Sequence, residues 1–286
     1  MKPAAFEYAA PETLAEAVAL LAQHGGAAKP IAGGQSLMPV LNFRLAAPTL
    51  LVDLRRIGGM DRIAVAAGGT NIGAKVRWRD IERSAVLAGA QPLLCAGIAH
   101  VAHYQIRNRG TVGGSLAHAD PAAEMPGLAV ALDAQIRVVG AGGERLVPAG
   151  EFFTGALSTV LGPDELVVEV LLPAWPAKRR WGFEEFARRR GDFALAGAAV
   201  WFDTDGSGCA MNAHVGVIGL SDRPRRLEMV EALLNGKVIG AASIGTAAAA
   251  AAIAVDPMND IHASAEYRRS LAGTMVERAL TAALAR

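Results

Sequence analysis

Two short segments of this chain of 286 residues carry paired glycines followed at once by small polar residues. Residues 31–36 read IAGGQS, and residues 111–115 read TVGGS after a basic lead-in. Because glycine lacks a Cβ atom, successive glycines can turn several backbone N–H groups into one concavity that an anion can approach closely. Either segment alone is more typical of a ligand-free turn. Two such segments could share the two phosphates of a pyrophosphate, so the pair favours a dinucleotide cofactor over a single phosphate.

Several other binding classes lack their signatures in this sequence. There is no G-x-G-x-x-G segment after a strand and no G-x-x-x-x-G-K-[ST] segment, so a Rossmann NAD site and a P-loop are disfavoured. The net charge of +1 provides no field that would favour nucleic acid or anionic lipid. The two cysteines, Cys95 and Cys209, cannot hold an iron–sulfur cluster or a structural zinc, and we expect no metal site.

The apolar pattern around the first glycine pair predicts a β-α-β unit. Residues 29–34 resemble a short buried strand, the helix-like segment SLMPVLNFRL begins at Ser36, and residues 49–54 form a second buried strand. Before them, a helix is predicted between Thr13, a cap with Glu16 three residues later, and Gly25. The first glycine pair is then the turn between strand and helix.

A stretch rich in proline and charge, PAWPAKRR at 173–180, suggests a seam between two domains. We predict one domain over 1–175 and a smaller α+β domain over 176–286, with antiparallel strands packed by late helices. The amino-terminal segment has no apolar core of a signal peptide. The alanine-rich run at 245–255 is shorter than the ~20 apolar residues of a membrane span, so we expect a cytoplasmic chain without a membrane span.

Two long segments in fixed order carry a resemblance to a known family. AGGQSLMPVLNFRL followed by LVDLRRI, and then QIRNRGTVGGSLAHADPAAEMP, closely resemble the FAD-binding medium subunit of molybdenum hydroxylases, the relatives of carbon monoxide dehydrogenase and xanthine dehydrogenase. The resemblance covers nearly the whole chain, including RRRGDFALAGAAV downstream. It implies an α+β fold: a two-subdomain FAD-binding domain of the vanillyl-alcohol oxidase type, followed by a smaller C-terminal α+β domain.

The same resemblance implies which residues contact FAD. Glu124 stands where many relatives carry aspartate, and Phe193 stands where some place a tyrosine beside the flavin ring. Phenylalanine can stack there but cannot donate a hydrogen bond. Some relatives carry a lysine on the cofactor where this chain has Glu184 and Glu185, so no lysine is transferred. The expected cofactor-binding residues are Lys29, Pro30, Ile31, Ala32, Gly33, Gly34, Gln35, Ser36, Leu37, Val101, Arg109, Thr111, Val112, Gly113, Gly114, Ser115, Asp120, Glu124 and Phe193.

The function that the resemblance implies is electron transfer within a complex. Molybdopterin is expected on a large partner subunit and iron–sulfur clusters on a small one, in a dimer of heterotrimers. This chain would pass electrons from the clusters through FAD to an external acceptor. No catalytic residue is expected here, because the cofactor performs the chemistry. Two alternatives stay open: a stand-alone flavin oxidase or dehydrogenase of related fold, and a scaffold subunit that has lost FAD.

Several other side chains allow two interpretations. His118 and Asp120 could form a dyad but more often shape a loop, and His100 and His103 lie three apart on a predicted helix without a third metal ligand. Asp53 could touch a ribose or pair with Arg55 or Arg56. Arg107 and Arg109 could bind the pyrophosphate or hold the loop, and Arg179, Arg180 and Arg188–Arg190 are expected on a solvated or subunit-facing surface.

Overall fold

A computed structural model describes residues 2–286 of the chain. The strands are β1 Glu7–Ala9, β2 Ala28–Ile31, β3 Leu50–Asp53, β4 Ile63–Ala66, β5 Gly69–Gly73, β6 Gln135–Gly140, β7 Gly143–Pro148, β8 Phe153–Gly155, β9 Ser158–Thr159, β10 Leu166–Pro173, β11 Arg180–Phe186, β12 Ala196–Thr204, β13 Ala210–Ile218 and β14 Arg225–Arg226. The helices are α1 Leu14–His24, α2 Leu37–Asn42, α3 Trp78–Glu82, α4 Ala85–Ala90, α5 Pro92–Ile98, α6 Tyr104–Arg107, α7 Val112–His118, α8 Glu124–Ala131, α9 Ala149–Phe152, α10 Glu228–Leu234, α11 Ala241–Ala254 and α12 Ala265–Leu284. The predicted α+β class is confirmed.

The amino-terminal layer is a parallel sheet of three strands in the order β1-β3-β2. Thr13 caps α1 in a capping box with Glu16, and the helix ends at Gly25, as the sequence predicts. Helix α2 connects β2 to β3, so the predicted β-α-β unit is confirmed. All four residues of β3 are buried, because this strand lies between two neighbours and beneath helices.

Two antiparallel sheets follow. The first has five strands in the order β4-β5-β10-β6-β7, with helices α3 to α8 inserted in the chain between β5 and β6. The second has the order β11-β12-β13-β14 and is covered by α10 and α12, with α11 packed on α12. The sheet of β1–β3 and the sheet of β4–β7 and β10 are the two subdomains expected of the FAD-binding part.

The buried side chains form two clusters, and they do not divide at the proline-rich segment. The first cluster spans both amino-terminal sheets but also includes Phe183 and Trp201 from the last sheet. The second lies between that sheet and the carboxy-terminal helices, around Phe202 and Met275. The side chains of strand β11 alternate between the two clusters: Phe183 belongs to the first cluster, and Phe186 packs on the second. The last sheet therefore contributes one face to each core.

Within residues 2–286, none of the helices combines the length and the apolar character that crossing a bilayer requires.

Candidate functional site

The first glycine segment leaves a row of backbone donors open. It runs from the end of β2 to the start of α2, and all its residues are half-buried. Within the described part of the chain, the amides of Gly33, Gly34, Gln35 and Ser36 donate to no protein acceptor. The side-chain amide of Gln35 donates to the carbonyl of Gly33 at 2.9 Å, and Gly34 has a φ of +71°, a conformation that favours glycine. Four consecutive free N–H groups in a half-buried segment suit an anion such as a pyrophosphate.

The second glycine pair is built differently from the prediction. Thr111 Oγ1 accepts from the amide of Gly114 at 3.2 Å and caps α7, so the glycines lie in the first turn of a helix and not in an open loop. The amide of Gly113 donates to the carbonyl of Ala74 at 2.8 Å. A Cβ atom on Gly113 would lie 2.5 Å from the Cβ of Ala74, so glycine is needed here for close packing. The loop prediction was wrong at this point because the cap starts the helix earlier.

The two glycine segments nevertheless touch. A Cβ atom on Gly33 would overlap the carbonyl oxygen of Arg109 and lie 2.8 Å from its carbonyl carbon and 3.0 Å from the Cα of Gly110. The chain just before the α7 cap therefore packs directly against the first segment. Residues nearly eighty positions apart meet, as a shared cofactor site requires.

Contacts continue from this point toward Phe193. Arg107 donates to the carbonyls of Val101 and Ala102 at 3.0 and 2.8 Å, so it holds the loop. Gly191, at φ +89°, packs on the same loop, because a Cβ atom there would lie 2.9 Å from the oxygen of Ala102. Phe193, two residues on, is 61% exposed. Gly191 therefore ties the segment that carries the exposed Phe193 to the loop that Arg107 holds.

Asp120 and Glu124 follow α7 on the other side. The carboxylate of Asp120 accepts from the amide of Ala122 at 2.9 Å, and the carbonyl of Pro121 accepts from the amide of Gly219 at 2.8 Å. Glu124 begins α8 and is 5% exposed, and burial raises its pKa to about 7. This turn is thus held between α7 and the last sheet.

The other expected cofactor residues surround these segments. Lys29 is exposed on the edge strand β2, and Leu37 is the first residue of α2, where Ser36 takes the cap position without a side-chain cap bond. Val101 and Val112 are buried. The remaining members, all half-buried, are Pro30, Ile31, Ala32 and Ser115.

Asp53, His100 and His103 were each open to a structural and a ligand-binding interpretation. Asp53 accepts from Arg55 and from the hydroxyl of Tyr8, which supports pairing. Helix α5 ends at Ile98, so His100 and His103 do not share a helix, and no group of three metal-binding side chains occurs in residues 2–286.

The prediction that Arg179 lies on the surface was wrong. Its guanidinium pairs with Asp203 at 2.9 Å and lies 3.7 Å from the ring centre of Trp201. Its side chain is 12% exposed, because the proline-rich segment before it folds back over the last sheet.

Sequence reasoning did not assign a role to Glu185, although it noticed the residue. The side chain is 4% exposed, its Oε2 atom has no hydrogen-bond partner, and its Oε1 atom lies 3.9 Å from Nδ1 of His100. Burial, and then the charge of Glu124, raise the pKa of Glu185 to about 8. The available signal is the period of β11, since Glu185 shares the inward face of Phe183.

Replacing Thr111 by alanine tests the helix cap at the site. We expect a loss of about 1 kcal/mol in the free energy of unfolding and weaker FAD retention, because the amide of Gly114 loses its acceptor and the wall beside Gly33 loosens. Ser84→Ala is the matched control, since Ser84 caps α4 with a bond of the same length, 3.2 Å, to Leu87. It should lose stability alone, and Thr111→Ser should retain both properties. Equal flavin content in Thr111→Ala and Ser84→Ala would contradict a role at the site.

The buried carboxyls of Glu124 and Glu185 predict a pH-dependent stability. Both bind a proton more tightly in the folded chain than at their ordinary pKa of 4.5, so stability should fall as pH rises from about 4.5 through about 8. Glu185→Gln cannot ionise, so its melting temperature should exceed that of the unmodified protein at pH 9 but not at pH 5. Glu184→Gln, on the neighbouring residue, is the control. Parallel melting curves for all three proteins across this range would refute the effect.

Comparisons with known proteins identify the family. Residues 4–175 match the FAD-binding domain in molybdopterin dehydrogenase, and residues 181–283 match the C-terminal domain of the CO dehydrogenase flavoprotein. The 6-hydroxypseudooxynicotine dehydrogenase complex subunit alpha of Paenarthrobacter nicotinovorans is 41% identical over 100% of this chain and 97% of its own length.

Two solved structures superpose closely. The carbon monoxide dehydrogenase of Hydrogenophaga pseudoflava, in a form that lacks the Mo-pyranopterin moiety of the molybdenum cofactor, has a TM-score of 0.97 and 38% identity, covering 100% of this chain and 99% of that one. Quinoline 2-oxidoreductase from Pseudomonas putida 86 has a TM-score of 0.94 and 40% identity, covering 99% and 98%. The chain therefore belongs to the FAD-binding medium subunits of the molybdopterin-dependent dehydrogenases, as an oxidoreductase subunit whose own cofactor is FAD.

Proposed function

We propose that this chain is the electron-transfer subunit of a molybdenum hydroxylase complex. It takes electrons from iron–sulfur clusters on a small partner subunit and passes them to an external acceptor, while a large partner subunit carries molybdopterin and oxidises the substrate. The complex is a dimer of such heterotrimers in the cytoplasm. The observation that carries the proposal is the full-length similarity to medium subunits together with the open row of amides at residues 33–36.

The protein's part in this activity is binding and orientation. When bound, FAD supplies a group that exchanges electrons singly or in pairs, which suits a junction between clusters and an acceptor. The free amides of Gly33, Gly34, Gln35 and Ser36 would donate to the pyrophosphate, whose charge would strengthen each bond. Residues 29–32 and Leu37 frame that segment.

The second segment forms the opposite wall. Thr111 fixes the start of α7 and, with it, the position of Arg109, whose carbonyl touches Gly33. The guanidinium of Arg109 would supply positive charge to the phosphates. Val112, Gly113, Gly114 and Ser115 pack this helix turn against the cleft.

Phe193, the exposed ring two residues after Gly191, would cover the flavin ring. Val101 lies in the loop on which Gly191 packs, so this loop would hold the segment that carries Phe193. Asp120 and Glu124 contribute the carboxyl groups of the site. The division at 175/176 belongs to the proposal, with Phe193 as the main contribution of residues 176–286 to the cofactor.

The test uses the purified chain and the complex purified with its partners. We expect about one FAD per chain, released on denaturation, and no flavin reduction when the isolated chain meets carbon monoxide, aldehydes or N-heterocycles. The complex should reduce its flavin with one of these substrates. Flavin reduction by the isolated chain would favour the stand-alone enzyme, and a complex that is active without flavin would favour the scaffold.

A further inference from the structure

Glu185 lies in the interior without the partners that a buried carboxyl normally has. Its Oε2 atom is inaccessible and unbonded within residues 2–286, although most buried polar atoms of proteins are satisfied. An ionised carboxylate in that position would be strongly unfavourable unless it were paired. The carboxyl of Glu185 is therefore expected to keep its proton at neutral pH. A buried acid of this kind is costly unless its proton is used.

The neighbours of Glu185 form a path between the solvent and the cofactor site. On one side, its Oε1 atom lies 3.9 Å from Nδ1 of His100, whose side chain is 43% exposed. On the other side lies the buried Glu124. Leu128, one turn further along α8, and Phe183, on the same face of β11 as Glu185, both pack on Gly97, so that α8 and β11 present Glu124 and Glu185 to one interface. Glu124 belongs to the expected cofactor residues, so the two carboxyls connect that site to an accessible imidazole.

The remaining charges around this path are few. Asp120 raises the pKa of Glu124, and Glu184 and Arg190 act on His100 in opposite directions, while burial lowers the pKa of that imidazole. Helix α12 packs against β11 through the backbone of Ala279, where a Cβ atom on Gly182 would overlap the carbonyl oxygen. No basic side chain pairs with Glu185 apart from His100, within the described residues.

We propose that Glu124 and Glu185 hold a proton between them and that His100 exchanges this proton with solvent, so that the chain carries its own proton route to the cofactor site. This inference rests on the proposed function, because reduction of a flavin by two electrons consumes at least one proton. Two buried carboxyls at one interface cannot both ionise without a large cost, so the pair is expected to keep one proton near neutral pH.

Each group of the route that gives up a proton receives another one. The electrons come from the one-electron donor of the partner subunit, or from dithionite in an experiment. Glu124 gives up its carboxyl proton at the site, Glu185 passes its own proton to the Glu124 carboxylate, and the imidazolium of His100 returns a proton to Glu185. A water molecule or buffer acid at His100 restores the start.

The first measurement needs no cofactor. Infrared spectra of the purified chain at pH 7 should contain the carbonyl band of a protonated carboxylic acid, which Glu185→Gln should lose or reduce. Glu184→Gln, the adjacent control, should retain it. An unchanged band in Glu185→Gln would overturn the proton-holding pair, whether or not FAD binds.

The second measurement follows proton uptake with a pH indicator while dithionite reduces the FAD of the holoprotein. We expect uptake to be about 100-fold slower in Glu185→Gln, the usual loss for a missing proton-transfer group. Glu184→Gln should slow it far less, because it changes only the charge near His100 and removes no group of the route. Glu185→Asp, which restores the acid, should recover part of the rate. Equal uptake rates in Glu185→Gln and the unmodified protein would overturn the route. If the chain binds no FAD, the proposed function is refuted and not the proton-holding pair. The infrared measurement tests that pair independently of FAD.

Discussion

Replacing Gly33 by valine is expected to deprive the protein of its FAD. A Cβ atom there overlaps the carbonyl oxygen of Arg109 and lies 2.8 Å from its carbon, so the two segments that form the cleft must separate. Both neighbours are backbone, which cannot rotate away as a flexible side chain could. The free amides of residues 33–36 would then shift relative to the segment around Arg109, against which the proposed cofactor site is built.

The expected size of the effect follows from the bonds that are lost. A hydrogen bond to a charged group contributes about 1.5 kcal/mol or more. Losing two of them weakens FAD binding at least ~100-fold. Flavin absorbance per chain after purification, and FAD titration of the apoprotein, measure this directly. The double variant Gly33→Val/Gly34→Val should retain no FAD.

Two other glycines serve as controls for Gly33. Gly34→Ala should have an intermediate effect, because the Cβ atom meets side-chain atoms only at ordinary distance while the φ of +71° costs about 1 kcal/mol for any other residue. Gly26→Ala should have none, since nothing lies within 4 Å of that position. Full flavin content in Gly33→Val would mean that the cofactor does not depend on the contact between the two segments.

Local patterns predicted the parts of the fold that local chemistry decides. Thr13 and Glu16 cap α1 because a capping box needs only residues three apart. The β-α-β unit follows from an apolar run, a glycine turn and a second apolar run, and it puts the first glycine pair at the carboxyl end of β2. The free amides of that pair are a direct result of this placement.

The second glycine pair shows where such patterns are insufficient. The sequence shows two glycines and a threonine but not the carbonyl of Ala74, which lies in another strand–helix connection and accepts from Gly113. Glycine is required there by packing against a neighbour 39 positions away. The contact between Gly33 and Arg109 is also long-range, and it could be expected only from the resemblance to a family and not from spacing.

Buried charges were the least predictable part of the site. Arg179 in a cluster of basic residues is typical of a surface, yet the indole of Trp201 and the carboxylate of Asp203 cover it. Glu185 stands beside Glu184 in a polar stretch, and only its place on the inward face of β11 buries it. Both outcomes depend on how the last sheet packs on the rest of the chain, which no local window contains.

Replacing Trp201 by alanine is expected to give the largest loss of stability. The indole is 5% exposed, its Nε1 atom donates to the carbonyl of Ala131 at 2.7 Å, and it lies between the guanidinium of Arg179 and the imidazole of His214 at 3.7 and 3.8 Å. Large-to-small changes of a buried tryptophan cost about 3–5 kcal/mol. Here the carbonyl of Ala131 also loses its donor, and a buried unpaired acceptor adds about 1 kcal/mol or more.

The position of Trp201 makes this loss specific. The residue belongs to β12 of the last sheet but packs in the first core, so its removal weakens the contact between the two parts of the chain as well as the core itself. We therefore expect unfolding in urea, followed by circular dichroism, to change from one transition to two, with the first at much lower urea. Trp201→Phe should lose about 1–2 kcal/mol, because it keeps most of the apolar area and gives up the N–H group.

Trp181, which pairs with Trp201 across the strands but is only half-buried, provides the control. If Trp181→Ala is as destabilising as Trp201→Ala, or if Trp201→Ala unfolds in a single unshifted transition, the indole does not connect the two cores.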